Sequence, residues 1–105
     1  MENYDAALVN SLGQKLLFLK NDEVYNFANQ KLAVLEGNLL FNTKGQNLAR
    51  VDDSQIINKL GQILCTVEGE ELINSNGQAF FKVEGQKQDD KVKLASAYFF
   101  FLNDY

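Results

Sequence analysis

Apolar and polar positions recur along this chain with a period of sixteen residues. Five consecutive blocks follow one another without a gap: GQKLLFLKNDEVYNFA from Gly13, NQKLAVLEGNLLFNTK from Asn29, GQNLARVDDSQIINKL from Gly45, GQILCTVEGEELINSN from Gly61 and GQAFFKVEGQKQDDKV from Gly77. Gly or Asn opens each block and Gln always follows. Late in the block comes an apolar pair closed by Asn, as in Val24-Tyr25-Asn26, Leu40-Phe41-Asn42, Ile56-Ile57-Asn58 and Leu72-Ile73-Asn74, and Leu8-Val9-Asn10 supplies a further copy. The natural unit is therefore a hairpin: apolar pair, Asn, two variable residues, Gly or Asn, Gln, apolar strand. These hairpins cover roughly 7–19, 23–35, 39–51, 55–67 and 71–83.

Turn chemistry supports that reading. An Asn side chain satisfies backbone donors in its own turn, and Gly three residues later supplies the positive φ that a type I turn with a bulge requires. Asn29 stands in for Gly once, and Asn tolerates the left-handed conformation best after Gly. Between hairpins, the links Lys20-Asn21-Asp22, Glu36-Gly37-Asn38, Asp52-Asp53-Ser54 and Glu68-Gly69-Glu70 are turns again. The prediction is an all-β antiparallel meander of five 16-residue hairpin repeats.

Side chains alternate between strand faces. Pairs such as Leu17 and Leu19, Ala33 and Leu35, Cys65 and Val67 thus share an apolar face. The opposite face is expected to carry the Gln positions, the Leu16, Leu32, Leu48, Leu64, Phe80 series, and a variable site held by Phe18, Val34, Arg50, Thr66 and Lys82. With apolar residues on both faces, a flat sheet would leave too much hydrocarbon wet, so the meander should curl, close or be covered. Ring, open curled sheet and sandwich all satisfy this.

At Gln88-Asp89-Asp90 the apolar pair is missing and a new element begins. Leu94, Tyr98, Phe101 and Leu102 fall at helical spacing behind an Asp that can cap, which predicts a helix over 91–102; VKLASAYFFFL also reads as a terminal strand. Residues 1–105 are read as a single domain, with repeats over about 7–87 and a capping or interface segment over about 88–105.

Composition narrows the chemistry. Fourteen acidic against ten basic residues, with no basic run, argue against a nucleic-acid partner. No apolar run approaches the length of a membrane span, so no membrane partner is expected either. One cysteine, Cys65, excludes an intramolecular disulfide and fits a reducing, cytoplasmic setting. The absence of His removes the commonest general base and the commonest transition-metal ligand, and no cofactor or metal is expected.

The stretch EVYNFANQKLAVLEGNLLFNTKGQNLARV resembles the bacterial four-fold beta flower proteins, which repeat an apolar-Tyr pair, an Asn or Asp and Gly turn, and an apolar strand. The likeness covers about residues 8 to 85. It implies short hairpins arranged radially, and it brings no catalytic residues.

Candidate sites follow from the repeats. Gln14, Gln30, Gln46, Gln62 and Gln78 form a possible ligand-binding ladder, because Gln has no special role in hairpin turns and its amide can bond a sugar. The matching Asn set is read as turn-building, and Tyr25, Phe41, Ile57 and Ile73 as core. Cys65 is read as core filler, and the acidic turn residues as solvated charge. Tyr98, Phe99, Phe100 and Phe101 are too apolar to leave wet and form a candidate interface. The functional expectation is a non-enzymatic protein-interaction or assembly module, self-associating as a homo-oligomer through a sheet face or the C-terminal aromatic segment, or binding another protein. A carbohydrate-binding module using the Gln ladder is the alternative, and a small hydrolase with a carboxylate pair ranks last.

Overall fold

Each predicted hairpin forms, and the neighbours knit edge to edge. The computed structural model describes residues 4–101. Its strands are β1 (Ala6–Val9), β2 (Lys15–Lys20), β3 (Glu23–Asn26), β4 (Lys31–Glu36), β5 (Leu39–Asn42), β6 (Asn47–Asp52), β7 (Gln55–Asn58), β8 (Ile63–Glu68), β9 (Glu71–Ile73) and β10 (Ala79–Gly85). All pairs are antiparallel, and β1 pairs β10, so the meander closes into a barrel. Closure resolves the problem of apolar residues on both faces, because it leaves no sheet edge to protect.

Register fixes what points inward. The first residue of each apolar pair lies opposite a residue of the apolar strand: Leu8 with Leu17, Val24 with Ala33, Leu40 with Ala49, Ile56 with Cys65 and Leu72 with Phe81. On the other side it meets Val83, Leu19, Leu35, Val51 or Val67. Nearly all of these are buried and form one core cluster, with Phe81 partly buried against it.

Two expectations about faces change. Each repeat carries a β-bulge: Leu8 faces Leu17 while Val9 faces Lys15, which leaves Leu16 as the extra residue on the longer strand. Leu32, Leu48, Leu64 and Phe80 occupy the same bulge in the other repeats. A bulge re-aims its side chain. Instead of sharing the outer face with Gln, Leu32, Leu48, Leu64 and Phe80 pack against the core. Conversely, Tyr25, Phe41, Ile57 and Ile73, read as core, pair on the outer face with Phe18, Val34, Arg50 and Thr66. Ile57 is buried there, whereas Tyr25, Phe41 and Ile73 are half-buried.

The barrel has an occupant. Helix α1 (Gln88–Ser96) touches β1, β2 and β10 on one side of the ring and β6, β7 and β8 on the other. Val92, Leu94, Ala95, Ser96 and Ala97 are at most 1% exposed. A ring of ten strands is wider than its own side chains fill. The helix occupies the remainder, and the small Ala49 and Cys65 lie on β6 and β8, two of the strands it touches.

Contacts along the helix give its direction. At its start, Gln88 Nε2 donates to the Val67 carbonyl at 3.0 Å and to Ser54 Oγ at 3.3 Å, and Lys91 Nζ donates to the Gly69 carbonyl at 2.7 Å. Lys93 Nζ pairs with Asp22 at 3.1 Å. All lie at the two-residue turns or, for Val67, just before one. A second short helix, α2 (Tyr98–Phe101), follows Ala97, and Tyr98 packs edge-on against Phe81 and Phe80 with centroids 4.8 and 5.4 Å apart. Phe101 shares a cavity with Asn10 and Asn26 at the opposite end. The C-terminal helix therefore enters at the two-residue-turn end and leaves at the Asn-turn end.

Its start differs from the expected one. The helix begins at Gln88, with Lys87 extended at the N-cap and no side-chain cap; Asp89 and Asp90 lie in the first turn, where negative charge suits the helix dipole. Leu102, expected to belong to this helix, lies outside the described residues.

Leu94 is fully buried inside the ring. Leu94→Ala is expected to cost about 2–5 kcal/mol, read as a lowered denaturant midpoint, whereas the exposed Lys82→Ala changes stability by less than about 0.5 kcal/mol.

Candidate functional site

The five Asn positions build their turns with the same bonds. Asn42 Oδ1 accepts from the backbone N–H of Lys44 and of Gln46, both at 2.9 Å. The Gly45 N–H donates to the Asn42 carbonyl at 3.0 Å. Asn42 Nδ2 then donates to Gln46 Oε1 at 2.8 Å. The same side-chain pair forms for Asn10 with Gln14, Asn26 with Gln30 and Asn58 with Gln62. Asn74 makes the two backbone bonds.

The role of Gln follows. Gln14, Gln30, Gln46 and Gln62 each use the side-chain carbonyl to clamp their own Asn, so they do not form a ladder with one another through it. All five Gln side chains are exposed at one end of the barrel, because alternate turns of a closed meander share an end. Their spacing signalled a turn device of two residues, Asn and Gln four apart.

Tyr98, Phe99 and Phe101 pack against the core, and Phe99 meets Tyr98 edge-on at 5.0 Å. Phe100 is the exposed member of that candidate interface, at 37%. Sequence reasoning missed the turn tips themselves. Leu12, Phe27 and Leu60 are 82%, 76% and 84% exposed, in the variable pair between Asn and Gly or Asn. The signal was present: three apolar residues occupy the most exposed positions of a turn, where fold gives no reason for them. Beside Phe27 opens a cavity of about 610 Å³, lined also by Leu16, Leu32, Phe81 and Phe101 together with Asn10 and Asn26.

Charge is segregated along the barrel. The five tips 10–15, 26–31, 42–47, 58–63 and 74–79 contain Lys15, Lys31, Lys44 and Lys59 and no Asp or Glu. The acidic residues gather at the other end, including Asp22, Glu36, Asp52, Asp53, Glu68 and Glu70 at the two-residue turns, where they outnumber Lys20, Lys87, Lys91 and Lys93. Lys31 leans back to Glu23 at 3.3 Å. The Tyr25 hydroxyl also donates to Glu23 at 2.7 Å, and these two bonds hold that carboxyl below its ordinary value.

The acidic end holds the carboxylates that a hydrolase would need. Asp5, Glu70, Glu84 and Asp90 line one surface pocket of about 520 Å³. Burial, helped by the charge of Asp5, raises the Asp90 carboxyl above its ordinary value. Among the described residues, no group of three or more Cys, Asp or Glu side chains is arranged to hold a metal ion. Cys65 is buried, and burial pushes its thiol up to about 12, so it carries no thiolate near neutral pH.

A closed ring of five hairpins with Asn-built turns around a central helix defines a radial β-hairpin repeat protein. The chain belongs to the 5-fold beta-flower protein family, whose model matches residues 3–102. The resemblance to beta flower repeats thus holds, with five petals to the ring. No curated protein and no solved structure matches the chain.

Two outcomes follow from these contacts. Gly45 has φ +82° and open space where a Cβ would stand, so Gly45→Ala meets only backbone strain and is expected to cost about 1–2 kcal/mol in equilibrium unfolding. Gly45→Asn costs less, as Asn29 already adopts φ 65° at the equivalent site. Asp90 binds its proton more tightly folded than unfolded, so the stability linked to it is greatest below the ordinary value of 3.8 and is lost as pH rises past it. Asp90→Asn is therefore expected to melt above the parent at pH 7, with the gap closing towards about pH 3 in thermal melts.

Proposed function

We propose that this chain is a non-catalytic docking module whose contact surface is the Asn-turn end of the barrel. The observation that carries the reading is the co-location of exposed Leu12, Phe27 and Leu60 with Lys15, Lys44 and Lys59 on tips free of acidic residues. Isolated exposed apolar residues are ordinary on a protein surface, but three on the tips at one end form a directed surface. Tyr98, Phe99 and Phe101 are partly buried against the core, which supports the tips over the C-terminal segment as the main contact surface of this reading. The Gln positions frame the same end, yet four of them use their acceptor on Asn, which weakens the sugar-binding reading.

A docking surface spends nothing on the fold. The triple variant Leu12→Ser, Phe27→Ser, Leu60→Ser is expected to keep its melting temperature within about 3 °C of the parent, as surface changes usually lie within about 0.5 kcal/mol. A fall of more than about 10 °C in thermal melts would make the tips structural and overturn the reading.

A further inference from the structure

We propose that the Asn-turn end docks on the surface of an anionic lipid bilayer. This rests on the docking reading above and names its partner. The tips are mostly polar but turn Leu12, Phe27 and Leu60 outward, and such side chains are buried at the boundary between headgroups and acyl chains, where nearby lysines meet phosphates. Leu12, Phe27 and Leu60 supply the apolar contact, joined by Ile63, 52% exposed on the same tip as Leu60, and Lys15, Lys44 and Lys59 supply the charge.

Charge decides among occupants. A second copy placed face to face would set lysine against lysine. A second copy placed head to tail would match charge, but it would lay the three apolar tips on the acidic end, where Leu39, at 40%, is the exposed large apolar residue. An anionic bilayer satisfies both halves of the surface at once. The acidic end, with Asp22, Asp52, Asp53 and Glu70, is then held away from the like-charged lipid, so the charge segregation sets orientation as well as affinity.

The barrel docks without spanning. No described helix is long and apolar enough to cross a membrane, which is what the expectation of no membrane partner rested on; surface docking needs no such helix. Strands of three to seven residues also fall short of the roughly nine to eleven that a spanning strand needs.

Co-sedimentation with sonicated vesicles tests this, using phosphatidylcholine alone and phosphatidylcholine with about 30% phosphatidylserine at low salt. The expected result is binding to the mixed vesicles that falls at least tenfold on pure phosphatidylcholine and weakens when salt is raised. The tip triple variant, and separately Lys15→Gln, Lys44→Gln, Lys59→Gln, should each lose binding, the lysine set by roughly fivefold per residue. Absence of binding to the mixed vesicles, or binding unchanged in both variants, overturns the lipid assignment. A dimer in sedimentation velocity without lipid, lost in the tip variant while vesicles go unbound, also overturns it and gives the end to a second copy. Because both variants are checked by thermal melt, unfolding of the tip variant is seen separately and counts against the docking reading itself.

Discussion

A ring of ten strands stands only if its axis is filled, and that requirement organises the rest of this molecule. Inward side chains arrive in cross-strand pairs such as Leu8 with Leu17 and Ile56 with Cys65, and their combined bulk still leaves a channel. The helix takes that channel, so Val92, Leu94 and Ala95 are buried among strands from opposite sides. Bulges at Leu32, Leu48, Leu64 and Phe80 bring further apolar side chains in from the Asn-turn end, and Tyr98 and Phe99 of α2 meet Phe80 there through their rings.

Much of this was legible in the residues. The Asn, Gly and Gln spacing located every hairpin, because the turn bonds it implies are local and depend on nothing far away. Alternation correctly assigned Leu17, Leu19, Ala33 and Leu35 to the interior. The bulge was less visible, since one unpaired residue per strand changes the face of its side chain without changing its composition. That is why the Leu16 series was placed outside.

The helix was hard to read for a different reason. A helix lying on a sheet shows an apolar stripe, whereas one enclosed by a barrel is buried around most of its girth. Its sequence carries small residues, Ala95, Ser96 and Ala97, where a stripe would be sought. The exposed tips were not visible as a set because Leu12, Phe27 and Leu60 stand singly on separate hairpins, sixteen-residue periods apart or nearly so, and share one end of the molecule only once the meander is folded.

One consequence concerns symmetry. The ring offers five nearly equivalent rotational settings, yet the rod through it has no such repetition. Lys93 on the Asp22 carboxylate and Gln88 on the Ser54 hydroxyl choose one setting, as the teeth of a key choose one lock, because these side chains differ from petal to petal. The petals are thereby released from being interchangeable, and each has become free to diverge in the residues it shows to the outside.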